Sequence, residues 1–187
     1  MHLTVNGTRL FFDVEGLGWV PEGAALRERP TLLLLHGGPG ADHSLYKPAF
    51  SALTDVAQVV YLDHRGNGRS APARPEDWHL EQWADDVRAF CEALGIVRPI
   101  VYGASFGGMV AMAYAMRHPE HPAKLVLVST SARWASRSAE RVALFERLGG
   151  PAVGALAQRR FIEGDTSPEV LQAWLQRAVP LYTQRGH

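Results

Sequence analysis

Cysteine is almost absent from this chain of 187 residues, in which Cys91 is the only one. A single cysteine excludes an internal disulfide and gives no support for a zinc cluster or a cysteine nucleophile. No apolar run approaches the roughly 20 residues that a membrane-spanning helix needs. Residues 1–7 contain neither a basic segment nor an apolar one, so they do not resemble a signal peptide. These absences predict a cytoplasmic protein without a membrane partner.

The sequence also lacks an excess or a block of charge, because 19 Lys and Arg residues balance 19 Asp and Glu residues. It therefore lacks the basic surface with which proteins bind nucleic acids or anionic membranes, and we predict neither partner. No glycine-rich loop is followed by Gly-Lys-Ser or Gly-Lys-Thr, and the glycine spacing matches no dinucleotide-binding pattern. The sequence therefore predicts no cofactor and no metal ion.

Strand and helix patterns alternate through the first two thirds of the chain. Residues 2–15 predict an antiparallel hairpin around Asn6-Gly7, a pair that favours a type I′ turn. After a loop predicted for residues 16–30, short apolar runs alternate with helical patterns, which indicates a doubly wound, mostly parallel α/β sheet. The predicted strands cover 31–35, 56–62, 98–103 and 125–128, and the predicted helices cover 44–53, 78–94 and 109–117.

One serine occupies a tight turn between a predicted strand and a predicted helix. The sequence Gly103-Ala104-Ser105-Phe106-Gly107 fits the pattern Gly-x-Ser-x-Gly, in which glycines let the strand and the helix approach closely. Such a turn lifts the serine out of the sheet, beside the N–H groups of the helix N-terminus. Ser105 is therefore a candidate nucleophile, and a plain strand–helix turn is the alternative.

Two further loops follow the predicted strands 31–35 and 56–62. The first, His36-Gly37-Gly38-Pro39-Gly40, is a turn whose N–H groups can face a developing negative charge; a phosphate loop and a simple turn are the alternatives. We expect His36 to be a structural hydrogen-bonding residue, with a catalytic base as the alternative. In the second, 63–70, we expect Asp63 and Arg65 to be paired or to cap backbone groups, with a metal or phosphate site as the alternative.

No further strand is predicted after residue 131. Helical patterns cover 138–148, 151–163 and 167–178, and we predict that they form a helical lid over the carboxyl edge of the sheet, with ordinary packing helices as the alternative. The chain is thus predicted to divide into a core at 1–132 and a partial lid at 133–187. The apolar residues that favour a lid are Trp134, Phe145, Phe161, Trp174 and Leu181.

Together, the loops at 36–40, 63–70 and 103–108 resemble those of the α/β-hydrolase fold family, and His-Gly-Gly-Pro-Gly resembles the prolyl iminopeptidase branch in particular. The resemblance covers residues 1–135. It implies a serine hydrolase that forms an acyl-enzyme on Ser105, with an oxyanion hole made by the backbone N–H groups of Gly38 and Phe106. It also implies supporting roles around the site for His36, Gly37, Asp63, Arg65, Gly103 and Gly107.

The substrate implied by the resemblance is a small molecule or a short peptide, cleaved at an ester, an amide or an N-terminal peptide bond. Prolyl iminopeptidases typically carry Gly-Gly-Ser-Trp-Gly, whereas this chain has Gly-Ala-Ser-Phe-Gly. An esterase or amidase therefore stays open beside an aminopeptidase.

The resemblance also implies an order of catalytic residues: the serine, then an acid, then a histidine. No acid follows the predicted strand 125–128. His118 and His121 follow the predicted helix 109–117, at the wrong end of the sheet, and His187 is terminal. We therefore expect the triad acid, the triad histidine and the C-terminal core strands to be absent from this chain. Alone it would be inactive, and it would associate with the missing C-terminal half or with a second copy. A non-catalytic binding module of the same fold is the alternative function.

Overall fold

The computed structural model describes residues 1–133 and 137–182, so Trp134 and His187 lie outside the described residues. The chain forms two compact units, which divide after Ala132. Neither unit, over the residues described, contains a helix that is long and apolar enough to cross a membrane.

The first unit contains eight strands: β1 (His2–Val5), β2 (Thr8–Glu15), β3 (Trp19–Glu22), β4 (Ala25–Glu28), β5 (Thr31–Leu35), β6 (Gln58–Leu62), β7 (Ile100–Ala104) and β8 (Lys124–Val128). Six of them form one sheet in the order β1-β2-β6-β5-β7-β8. Strands β5 to β8 run parallel, whereas β2 pairs antiparallel with both β1 and β6. The predicted α/β fold with a mostly parallel sheet and an N-terminal antiparallel hairpin is confirmed.

Helices connect the parallel strands. The first, α1 (Leu80–Ala93), joins β6 to β7, and α2 (Phe106–Arg117) joins β7 to β8. Two short 3-10 helices, His43–Tyr46 and Ala49–Leu53, join β5 to β6 where the sequence predicted a single helix. The prediction was wrong because Pro48 separates the two pieces, and proline has no N–H group with which to continue a helix.

Apolar side chains cover both faces of the sheet, because neighbouring residues of a strand point to opposite faces. Leu33 and Leu35 of β5 belong to the core that includes α1 and α2. Leu32 and Leu34 belong to a second core on the other face, together with Tyr46. Burying a leucine contributes about 2 kcal/mol to folding, so this short strand is firmly anchored. Its carboxyl end, where the first glycine-rich loop begins, is therefore fixed.

A small hairpin of β3 and β4 replaces the loop that the sequence predicted for residues 16–30. Its side chains are almost all exposed, so neither strand shows the alternation of apolar and polar residues that identifies a half-buried strand. Pro21 within β3 also disfavours a strand on sequence grounds.

In its described residues, the second unit contains three α-helices: α3 (Ser138–Gly149), α4 (Pro151–Phe161) and α5 (Pro168–Arg177). Phe145 and Trp174 are buried at its centre, with ring centroids 4.7 Å apart. Phe161 and Leu181 pack against the same cluster. The described apolar residues that favoured a lid therefore contribute to a core within this unit. The lid itself stays a prediction.

A buried ion pair ties the loop after β6 to α1. Arg65 donates from Nε and Nη2 to the two carboxylate oxygens of Asp86, over 2.7 and 2.8 Å, and the two side chains are 7% and 3% exposed. Arg65 Nη2 also donates to the carbonyl oxygen of Asn6 over 2.9 Å. Arg65 thus bonds to a carboxylate and to a backbone group, as one of the sequence interpretations expected. The carboxylate is that of Asp86 on α1, which the sequence did not indicate. The hydrogen bonds that Arg65 donates to Asp86 raise the pKa of this guanidinium.

Replacing Asp86 by Asn is expected to lower the free energy of unfolding by about 3–5 kcal/mol, because the charge of Arg65 would remain buried without its counter-charge. The matched control is Asp85→Asn on the same helix, which changes exposed contacts with Arg117 and His118 and should cost about 0–1 kcal/mol. Urea denaturation of both variants measures the difference. Similar losses in the two variants would contradict the importance of the buried pair.

Candidate active site

Ser105 lies between the end of β7 and the start of α2, with backbone angles of φ 52° and ψ −118°. A positive φ is strained for a residue with a Cβ, at a cost of about 1–3 kcal/mol. The Ser105 N–H donates to the carbonyl oxygen of Val128 over 2.9 Å, and its carbonyl oxygen accepts from Thr130 Oγ1 over 2.7 Å. Bonds from the end of β8 therefore hold the strained residue, although no sequence pattern singled out Thr130.

Two glycines make this turn sterically feasible. A methyl group on Gly107 would lie 2.0 Å from the carbonyl oxygen of Leu35 and 2.6 Å from that of His36. A methyl group on Gly103 would lie 2.4 Å from the carbonyl oxygen of Gly107. All three oxygens belong to the backbone, so they cannot rotate away as a side chain can. The first turn of α2 therefore lies directly against the end of β5.

The glycine-rich loop lies next to Ser105. A methyl group on Gly37 would lie 3.4 Å from the Ser105 Cβ, and Gly38 adopts φ +121°, which residues with a side chain rarely do. Within the described part of the chain, the N–H groups of Gly38 and Phe106 have no hydrogen-bond acceptor. Both N–H groups lie in segments that adjoin Ser105. Two such free donors could form hydrogen bonds to a negatively charged oxygen next to the serine.

The imidazole of His36 is fully buried and both of its nitrogens are engaged. Nε2 accepts the N–H of His64 over 3.2 Å, and Nδ1 lies 2.7 Å from the carbonyl oxygen of Gly37. Because Nε2 accepts, the ring proton lies on Nδ1, which donates to that carbonyl. Neither nitrogen is left to receive a proton from Ser105. This geometry favours the structural role expected for His36 over the catalytic base.

The loop at 63–70 is hydrogen-bonded to the segment that contains the glycine-rich loop. Asp63 Oδ1 accepts from the N–H and from Nδ1 of His43, over 2.8 and 2.9 Å, and Oδ2 accepts the N–H of Arg69 over 2.9 Å. Asn67 Oδ1 accepts the N–H of Gly40 over 2.6 Å. Asp63 thus caps backbone groups, one of the alternatives expected for it. Sequence reasoning missed Asn67, because no motif indicates a bond between residues this far apart in the chain.

Burial favours the neutral forms of two neighbouring histidines, His36 and His64. The ring centroids of His36 and His64 are 4.5 Å apart, and His64 also contacts the ring of Phe106. Desolvation lowers the pKa of His36, although the carboxylates of Asp63 and Asp42 act in the opposite direction. Desolvation, together with the neighbouring His36, lowers the pKa of His64 well below its ordinary range.

The described residues do not provide a general base for Ser105. No histidine or carboxylate among them is hydrogen-bonded to its hydroxyl group, and His43, His118 and His121 each bond to other side chains. Residues 1–133 and 137–182 also contain no group of three His, Cys, Asp or Glu side chains that could hold a metal ion. The arrangement combines a serine in a strained turn with two backbone N–H groups that have no acceptor within these ranges.

Comparison with known proteins identifies the family. Residues 30–160 match the family model of the alpha/beta hydrolase fold. The chain belongs to the alpha/beta hydrolase fold family. This match confirms the resemblance drawn from the three loops, and the solved structures that resemble the chain include an alpha/beta hydrolase and a proline iminopeptidase.

Relatives of the chain among known proteins carry different names. The chain is 36% identical over 116 residues to a putative carbamate hydrolase, RutD, of Caulobacter vibrioides. This alignment covers 62% of the chain and 43% of the relative. It is 32% identical over 126 residues to a proline iminopeptidase of Clostridium botulinum, and this alignment covers 65% of the chain and 43% of the relative. The chain thus spans less than half the length of these relatives.

Among solved structures, the chain is similar to the proline iminopeptidase of Mycobacterium smegmatis, with a TM-score of 0.67 and 28% sequence identity. This similarity covers 94% of the chain and 58% of that structure.

Replacing Gly107 by Ala is expected to lower the free energy of unfolding by at least about 3 kcal/mol, because the new methyl group would overlap backbone oxygens that cannot move independently. Met116→Ala serves as the control on the same helix, since Met116 is 75% exposed and its truncation should cost no more than about 0.5 kcal/mol. Thermal or urea unfolding compares the two. A Gly107→Ala protein as stable as the control would refute the close approach of α2 to β5.

The free energy of unfolding is expected to fall as the pH drops from 7 to 5.5. A histidine has an ordinary pKa of about 6.5, and a lower pKa in the folded state means that the unfolded chain binds more protons below that pH. His36 and His64 therefore contribute stability that is complete above about pH 6.5 and declines below it, by up to about 1.4 kcal/mol per pH unit for each ring.

Carboxylates with a lowered pKa, such as Asp42 and Asp85, also contribute to the free energy of unfolding. They lose this contribution only below about pH 4.5, which lies outside the range from pH 7 to 5.5. Urea denaturation at a series of pH values measures the slope, and a His36→Asn/His64→Gln double variant should show a much smaller slope. Burial also lowers the pKa of the half-buried His121, so a small part of the slope should persist in the double variant. A wild-type stability that does not change between pH 7 and 5.5 would contradict two neutral buried histidines.

Proposed function

We propose that this chain is the nucleophile-bearing part of a serine hydrolase that forms an acyl-enzyme on Ser105. The observation that carries the proposal is a strained, half-buried serine beside two backbone N–H groups without an acceptor, those of Gly38 and Phe106. Backbone strain of this kind persists where the surrounding structure enforces it, and it is typical of active sites. Membership of a hydrolase family supports the same function.

In the proposed reaction, the hydroxyl oxygen of Ser105 attacks the carbonyl carbon of the substrate while a histidine accepts the hydroxyl proton. The carbonyl oxygen becomes an oxyanion, which accepts hydrogen bonds from the N–H groups of Gly38 and Phe106; one such donor contributes about 3–4 kcal/mol to catalysis. The bond to the leaving group then breaks, and the histidine returns the proton to that group. Water hydrolyses the acyl-Ser105 ester to complete the cycle.

The catalytic histidine and its acid are proposed to come from residues outside 1–187. The described histidines bond elsewhere, and the chain spans 43% of the length of its carbamate hydrolase and iminopeptidase relatives. A serine hydroxyl without a positioned base is a poor nucleophile. The 187-residue chain on its own is therefore expected to hydrolyse substrates very slowly.

The proposed substrate is a small ester, an amide or an N-terminal peptide bond. The names of the relatives, proline iminopeptidase and putative carbamate hydrolase, support cleavage next to a carbonyl group. The glycine-rich loop His36–Gly40 supports the iminopeptidase-like form of this activity. Ala104 and Phe106 replace the Gly and Trp of the typical iminopeptidase turn, which keeps an esterase within the proposal.

The outer strand of the sheet supports a proposal about association. Val126, Leu127 and Val128 of β8 are 42%, 42% and 38% exposed, whereas strands of a parallel sheet are usually buried on both faces. An apolar edge strand with free backbone groups pairs readily with another strand. We propose that β8 pairs with the C-terminal half of the complete fold or with a second copy of the chain.

A fluorophosphonate probe, which reacts with activated serines, tests the proposed function on the complete protein. We expect stoichiometric labelling that Ser105→Ala abolishes and that Ser44→Ala, a change at an exposed serine, leaves intact. Ester, prolyl amide and carbamate substrates should show a loss of about 10⁴-fold or more in kcat for Ser105→Ala. A folded complete protein that is not labelled would instead support a non-catalytic binding module. This alternative is favoured by the absence of a hydrogen-bond partner for the Ser105 hydroxyl among residues 1–133 and 137–182.

A further inference from the structure

The peptide unit between Gly37 and Gly38 occupies a decisive position next to Ser105. Gly37 is buried, and a methyl group on it would lie 3.4 Å from the Ser105 Cβ, so no side chain separates the two residues. The same peptide unit ends in the N–H of Gly38, which has no acceptor within the ranges that the structure describes. The orientation of this peptide plane therefore determines the direction of the Gly38 N–H.

A single side chain, His36, fixes that plane. Its Nδ1–H donates to the carbonyl oxygen of Gly37 over 2.7 Å. In a trans peptide the C=O and the following N–H point in opposite directions. Holding the Gly37 carbonyl toward the imidazole therefore turns the Gly38 N–H away from it. A rotation of the plane that exchanged the two directions would break this hydrogen bond and leave a buried donor unpaired, which is costly.

The ring of His36 is itself prevented from turning. Nε2 accepts the N–H of His64 over 3.2 Å, and the two rings lie with their centroids 4.5 Å apart. His36 has no exposed surface, so water cannot replace either bond. Only the neutral tautomer with its proton on Nδ1 satisfies both contacts.

We propose that His36 is a positioning residue, whose Nδ1–H orients the Gly37–Gly38 peptide so that the Gly38 N–H faces the substrate oxygen above Ser105. The inference rests on the proposed serine hydrolase function and extends it by assigning the group that sets the oxyanion donor. His36 does not touch the substrate. It acts through the peptide plane, and it does so in the neutral form that the buried environment favours.

Two substitutions at the same position separate the two hydrogen bonds of His36. In His36→Asn, the side-chain amide nitrogen can occupy the place of Nδ1 and donate to the Gly37 carbonyl, but nothing reaches the N–H of His64. In His36→Gln, the longer side chain can place an acceptor at the Nε2 position, but the donor to the Gly37 carbonyl is lost. Each variant loses one bond, so a purely structural role predicts similar effects for both.

Steady-state kinetics of the complete protein test the proposal. We expect His36→Gln to lower kcat by about 30-fold or more with KM changed less than about twofold, and His36→Asn to retain kcat within about fivefold, because a misdirected oxyanion donor affects the transition state rather than substrate binding. Thermal unfolding should show comparable losses of stability in both. Equal kcat values for the two variants, or a larger loss in His36→Asn, would overturn the proposal.

A second measurement does not depend on either variant folding or on any activity. Long-range 1H–15N spectra of the wild-type complete protein should show His36 with a protonated Nδ1 and an unprotonated Nε2 at neutral pH. The opposite tautomer, or a doubly protonated ring, would refute the orienting bond even in an active enzyme. Failure of the hydrolase proposal is recognised separately, by the absence of fluorophosphonate labelling at Ser105.

Discussion

The close approach of helix α2 to the end of strand β5 is the constraint on which the candidate site depends. No side chain fits at Gly107, where the helix backbone lies against the carbonyl oxygens of Leu35 and His36. This approach forces the chain to turn within one residue, and Ser105 takes the resulting positive φ. It also brings the loop that follows β5 beside the same serine. The strain at Ser105 is thus a consequence of packing between two secondary-structure elements, and the bonds from Val128 and Thr130 stabilise it.

Beneath this turn, polar groups from two loops satisfy one another in a buried environment. His36, Asp63 and Asn67 each form hydrogen bonds between the segment around the glycine-rich loop and the loop at 63–70. Buried polar groups are costly unless they are paired, so these bonds leave little freedom for either loop. The same burial favours neutral imidazoles. The result is a hydrogen-bonded connection between the two loops, one of which lies next to Ser105.

The two units differ in how completely they bury their apolar side chains. The second unit packs Phe145 and Trp174 into a small core of its own. The first unit buries both faces of β5 and β6 but leaves the apolar side chains of β8 partly exposed. That exposed edge and the greater length of the relatives are the observations behind the proposed pairing of β8. The first unit thus holds the candidate nucleophile and leaves an outer strand available for pairing.

Local patterns in the sequence determined the parallel sheet, the position of the turn at Ser105 and the family resemblance, because apolar runs and glycines act over a few residues. They missed the hairpin of β3 and β4, whose exposed strands show no alternation. Only the tertiary structure decided which partner each polar group takes: Arg65 pairs with Asp86 on α1, and Asn67 bonds to Gly40. Such contacts join residues that are distant in the chain, and their geometry exists only once the sheet and helices have packed. The same holds for His36, whose tautomer and orienting bond depend on the position of His64.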